Sequence, residues 1–262
     1  MAAQNSTNTP LVKPNNLPRL TDINAIRKLS PEDLERGFPV SLEGRVIQAI
    51  RNRSQILLQI GDSGLPVYLT ERRGLTTIGQ KVRVEGFTVA QRQVQVLCNK
   101  LTVVDPTVEL PAPKTLTIKE AMTNPPKYCR VKLTGVVVSA QSRPLRHELL
   151  VRDQGYTFPV QVYRQARVAK PDEVIDSRMT FVGVITDTPT DHEDTGARLL
   201  VRGWNDAQTL QPAPVIPFNR SRKPIASVLK TKQGQGPEFR VRLRGEGGFP
   251  GGSQGVHGLA ES

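Results

Sequence analysis

Apolar and polar residues alternate along Val40-Ser41-Leu42-Glu43-Gly44-Arg45-Val46, with a glycine where an apolar residue is due. The pattern returns as Val131-Lys132-Leu133-Thr134-Gly135-Val136-Val137 and begins again as Val241-Arg242-Leu243-Arg244-Gly245. A period of two marks a strand with one buried face. A glycine inside such a strand marks a bulge, or a bend at the corner of a small barrel. The copies lie 91 and 110 residues apart, from Gly44 to Gly135 and from Gly135 to Gly245. That spacing predicts repeated units of about one hundred residues, a size that can bury its own core.

Around the first copy the pattern predicts five strands: 38–49, 55–60, 65–69, 80–86 and 93–104. Gly61-Asp62-Ser63-Gly64 supplies a tight turn between the second and third. Around the second copy the strands are expected at 128–140, 148–152, 157–163 and 178–186, with a fifth beginning at 197–204 and completed by 206–211. Short helices precede each set. Thr21 is expected to cap one with Ile23, Ile26 and Leu29 on a stripe. Ser30-Pro31-Glu32-Asp33 starts a second, closed by Gly37. Thr117-Ile118-Lys119-Glu120 is a capping box for a third, which Pro125-Pro126 ends. Five strands with turns at roughly ten-residue spacing suit an all-β fold of tandem five-stranded OB-fold-like Greek-key barrels.

The expected organisation is a disordered leader over 1–19, a first barrel over 20–106 and a second over 107–211. A linker and an incomplete third repeat occupy 212–245, and a glycine-rich disordered tail 246–262. In the third repeat Ile225, Val228 and Leu229 echo the leading helix, and Phe239 to Gly245 echoes the first strand. No apolar run is long enough to span a bilayer. Met1 to Thr9 has neither the basic nor the apolar region of a signal peptide. It reads as the lead-in after a cleaved signal, or as a cytoplasmic tail. Cys98 and Cys129 read as small buried hydrophobes; a disulfide between them is possible but spacing does not decide it.

Charge sharpens this picture less than the total of +12 suggests. Residues 18–106 carry 13 basic and 9 acidic groups, and residues 107–212 carry 14 and 12. Residues 213–262 carry 8 and 3, so the densest excess lies in the incomplete third repeat. Enzymatic constellations are nearly absent, and no cofactor is expected. His192 among Asp191, Glu193 and Asp194 reads as a solvated acidic loop, and there is no Cys/His zinc spacing or phosphate loop. OB barrels do bind single-stranded nucleic acid through basic grooves and stacking rings on strands two and three. The candidates for that role are Arg51, Arg53, Tyr68, Arg72, Arg73, Arg83 and Arg92 in the first unit. In the second they are Arg152, Tyr156, Phe158 and Tyr163. Trp204 reads as core.

The run from Leu20 to Gly44 is similar to the opening of tandem OB-fold domains in the extracytoplasmic sensory region of bacterial sensor histidine kinases and related signalling proteins. The turn Gly61-Asp62-Ser63-Gly64 resembles a hairpin of that family. The resemblance covers 20–105 well, 115–211 loosely and 223–245 as a fragment. It implies a non-catalytic sensory or interaction module binding an unidentified ligand or partner. It also implies a periplasmic location if a signal peptide precedes this chain. It brings no catalytic, metal or ligand residue with it. Single-stranded nucleic-acid binding through the basic barrel faces is the alternative, and a catalytic role is not expected.

Overall fold

The computed structural model describes residues 17–50, 54–70, 76–90, 94–163, 171–187, 196–214, 222–224 and 242–244. Residues 1–16 of the leader, the acidic loop around His192, the helical echo at 225–229 and the glycine-rich tail fall outside them. The chain divides into two compact units, Met1–Pro111 and Ala112–Ser262. Among the described residues no helix is long and apolar enough to cross a membrane.

The first unit is a closed barrel of β1 (Pro39–Ile50), β2 (Gln55–Ile60), β3 (Ser63–Leu69), β4 (Lys81–Ala90) and β5 (Val94–Asp105). Its strand order is β1-β2-β3-β5-β4, closed by the antiparallel β1–β4 pairing, with β3 and β5 parallel. The predicted alternation points Val40, Leu42, Val46, Ile56, Leu58, Val67, Val82, Val84 and Val96 into one core. The helices α1 (Ile23–Arg27) and α2 (Pro31–Glu35) precede β1, and α1 adds Ile23 and Ile26 to that core. The cap of α1 is Asp22 rather than Thr21: its side chain accepts from the Asn24 backbone N–H at 3.1 Å. Ser30 caps α2 as expected, accepting from the Asp33 N–H, and Gly37 follows with φ +70°.

The second unit repeats the plan with β7 (Arg130–Ser142), β8 (Arg146–Asp153), β9 (Tyr156–Tyr163), β10 (Arg178–Asp187) and β11 (Ala197–Val201). These pair in the order β7-β8-β9-β11-β10, and β10 returns to β7. Here too the third and fifth strands run parallel. The turn Gln154-Gly155 has φ values of +49° and +82°, which fits a hairpin of the I′ type. A 3-10 turn at Trp204–Asp206 interrupts the expected fifth strand. Its continuation, β12 (Ala207–Gln211), extends the antiparallel pairing with β10 and completes the strand as expected. Before β7 the helix α3 (Ile118–Thr123) carries the complete capping box between Thr117 and Glu120.

The repeated glycine has a steric cause. A Cβ on Gly44 would sit 2.7 Å from the Gln59 carbonyl oxygen, and one on Gly135 2.7 Å from that of Arg152. Only glycine lets the first strand press this closely on the second. Each first strand then shifts register against the second, between Val46 and Gln48 and between Val137 and Ser139.

A further repeated feature is a short parallel partner ahead of each first strand. Leu20 bridges Val40, β6 (Lys114–Thr115) pairs with Val131 and Lys132, and β13 (Arg222–Pro224) pairs with β14 (Arg242–Arg244). The third glycine motif thus shares the opening pairing of the two barrels.

Candidate functional site

In each barrel the outer rows of strands one to three form one sheet surface, and the two surfaces differ. In the first unit Gln48, Gln55, Leu57, Pro66 and Gln59 on these rows are buried, Leu57 to 1 % exposure. Tyr68, opposite Gln55 on β3, is half-buried. Arg83 is not on this surface. It lies on β4 beside β1, where its Nε and Nη2 donate to Glu43 Oε1 at 2.9 and 2.5 Å. Lys81 joins the same carboxylate at 3.3 Å. Hydrogen bonds from Arg83 and Lys81 hold the Glu43 carboxyl below its ordinary range. Arg51, Arg53, Arg72, Arg73 and Arg92 lie outside the described residues.

In the second unit the β8–β9 register sets Arg146 opposite Tyr163, Glu148 opposite Gln161, Leu150 opposite Pro159 and Arg152 opposite Thr157. On β7, Ser139 faces Leu150 and Gln141 faces Glu148. Leu150 is 42 % exposed, while Tyr163, Pro159 and Arg152 are half-buried. Leu150 is the structural counterpart of Leu57, since Gln59 and Arg152 stand against the matching glycines. The same surface is therefore covered at this row in one barrel and open in the other.

The connection from β7 to β8 extends this surface. It closes with the Arg143 N–H donating to the Arg146 carbonyl at 2.8 Å and presents Leu145 at 70 % exposure. Glu148 stands between two guanidinium groups. Arg146 Nε donates to its Oε1 at 2.9 Å, and Arg143 Nε to its Oε2 at 3.3 Å. Arg143 Nη2 also donates to Gln141 Oε1 at 3.3 Å. Partial burial pushes the Glu148 carboxyl up, but the hydrogen bonds from Arg146 and Arg143 outweigh it and hold the group below its ordinary value. At the far end Arg152 Nε donates to Thr157 Oγ1 at 3.3 Å.

Of the four candidates in this unit, Arg152 and Tyr163 share the outer surface. Phe158 does not: it is 2 % exposed and belongs to the core with Leu149, Val160 and Phe181. Tyr156 sits on the same inward parity, packs against that core and lies under Lys119 Nζ, 5.7 Å from its ring centroid. Trp204 also packs on this core, as expected. Arg143, Leu145, Arg146 and Leu150 went unseen in the sequence. The signal available was the run Arg143-Pro144-Leu145-Arg146, two basic residues around a proline turn.

Other chemistry is sparse. Cys98 and Cys129 are buried and not joined in a disulfide, and burial pushes the Cys98 thiol up. Among the described residues no group of His, Cys, Asp or Glu could hold a metal ion.

These features define a protein of tandem OB-type barrels. No protein-family model and no curated protein matches the chain. Among solved structures it is similar to an aspartyl-tRNA synthetase from Entamoeba histolytica at 16 % identity, covering 40 % of this chain and 23 % of that one, TM-score 0.31. It is similar to an asparaginyl-tRNA synthetase from Pyrococcus horikoshii at 17 % identity, covering 34 % and 21 %, TM-score 0.27. It is similar to a murine DNA-binding protein bound with double-stranded DNA at 11 % identity, covering 66 % and 99 %, TM-score 0.33. The chain thus spans less than a quarter of either synthetase chain. At these scores none of the three carries an argument about function.

Proposed function

We propose that the protein binds single-stranded nucleic acid on the open outer surface of its second barrel. One observation supports the reading: Leu150 and Tyr163 reach solvent on the second and third strands among Arg143, Arg146 and Arg152, with Glu148 the carboxylate between them. OB barrels receive oligonucleotides on the face of strands two and three and on the connection before strand two. Here that connection holds Arg143 and Leu145, and β8 opens with Arg146. Tyr163 offers a ring for a base, Leu150 and Pro159 an apolar floor, and the arginines meet the phosphates. Such a surface is tolerant of sequence because every base has a face to stack.

The test is a fluorescence-anisotropy titration of the full chain with labelled oligo-dT at low and physiological salt. Micromolar or tighter binding that weakens steeply with salt is expected. Tyr163→Ala should cost about 1–3 kcal/mol of binding. Absence of binding at low salt overturns the proposal.

A further inference from the structure

We infer that Arg143, Arg146 and Glu148 form an anion clasp that the protein fills with its own carboxylate, and that a backbone phosphate enters by displacing Glu148. The inference rests on the nucleic-acid reading of this surface and assigns its affinity-setting residue. Each oxygen of the Glu148 carboxylate takes one guanidinium, Arg146 at 2.9 Å and Arg143 at 3.3 Å. Two cations that share the two oxygens of one carboxylate are spaced to share two oxygens of one phosphate as well. Gln141 steadies Arg143 from β7, so this arm of the clasp keeps a partner when the carboxylate is displaced. Glu148 lies on the outer row, between the inward His147 and Leu149, and forms no part of the core.

The carboxylate has two effects on an incoming strand. It occupies the donors that a phosphate needs, and it adds a negative charge beside the path. Both oppose binding. Glu148 therefore acts as an internal competitor, and the surface is built to hold a strand loosely enough to release it.

Glu148→Gln keeps the shape and removes the charge. In the oligo-dT titration it should tighten binding about three- to tenfold, the scale of two exposed ion pairs no longer competing. Arg143→Gln with Arg146→Gln should weaken binding and flatten the log-salt slope by roughly 0.7, the value for the one single-strand phosphate no longer neutralised. Circular dichroism and thermal melting of each variant establish that the fold is intact. If the wild type binds and Glu148→Gln binds equally or more weakly while folded, the clasp is wrong and the surface reading stands. If the wild type does not bind, the surface reading itself falls.

Discussion

Gly44 and Gly135 do the same work in two places, and neither needs a positive φ. Their role is to leave room for a carbonyl on the neighbouring strand, that of Gln59 or Arg152. A methyl group at 2.7 Å from a backbone oxygen cannot be absorbed by turning a side chain. The strands must part at the barrel corner instead. Gly135→Ala should therefore destabilise the second barrel by about 1–3 kcal/mol, the usual cost of forcing atoms into packed space. Urea denaturation followed by circular dichroism reads this directly; an unchanged midpoint would mean the first strand has slack at its bend. Phe158 shows the opposite side of residue-scale reading. Alternation says that Phe158, Val160 and Val162 share a face, and the apolar company of this aromatic assigns it to the core.

At the scale of the element, the strands were legible wherever apolar residues kept the period. The β2 strand lies at 55–60 as the alternation predicts, and the others differ mainly at their ends. The exceptions have physical reasons. The β8 strand begins at Arg146, ahead of the predicted Glu148, because the inward position 147 holds a histidine. His147 is 3 % exposed and pairs with Ser142 Oγ through Nδ1 at 3.2 Å, so a buried polar residue breaks the apolar pattern. That one substitution hid Arg146 and the short connection carrying Arg143 and Leu145. The two-residue β6 strand was equally hidden, since so short an element has no period to read. The α3 cap was legible because its residues act locally, and it carries a prediction. The backbone N–H of Thr117 donates to Glu120 Oε2 at 2.8 Å and, with the Thr117 hydroxyl, holds that carboxyl below its ordinary value. A carboxyl depressed in the folded state adds stability above its unfolded pKa and loses it as pH falls through the folded value. Glu120→Gln should thus lower the urea midpoint at neutral pH, with the difference closing in acid below about pH 4, near the ordinary glutamate pKa. Thr117→Ala should cost about 1 kcal/mol at neutral pH through loss of the helix cap.

At the scale of the whole molecule, each barrel is filled by its own residues. One core gathers Ile26, Leu42, Leu58 and Val84, the other Leu133, Leu149, Phe158 and Phe181. Two complete cores in one chain favour two unfolding transitions over one. The chain offers a means of telling them apart, because its single tryptophan, Trp204, packs on the second core. Tryptophan fluorescence should follow the second barrel alone, while far-ultraviolet circular dichroism follows the strands of both. Leu42→Ala removes a fully buried side chain from the first core and should cost that barrel about 2–5 kcal/mol. The dichroism curve should then gain an early phase while the fluorescence midpoint stays where it was. Phe158→Ala should do the reverse, moving the fluorescence midpoint by the larger cost of a lost aromatic, about 3–5 kcal/mol. Coincident curves that shift together in both variants would show that the barrels unfold as one cooperative body. In that case a ligand held on the second barrel would stabilise the first as well. Repeating the two curves with oligo-dT bound then tells whether the strand's binding energy stays within the barrel that carries Tyr163 and the Glu148 clasp or is shared across the chain.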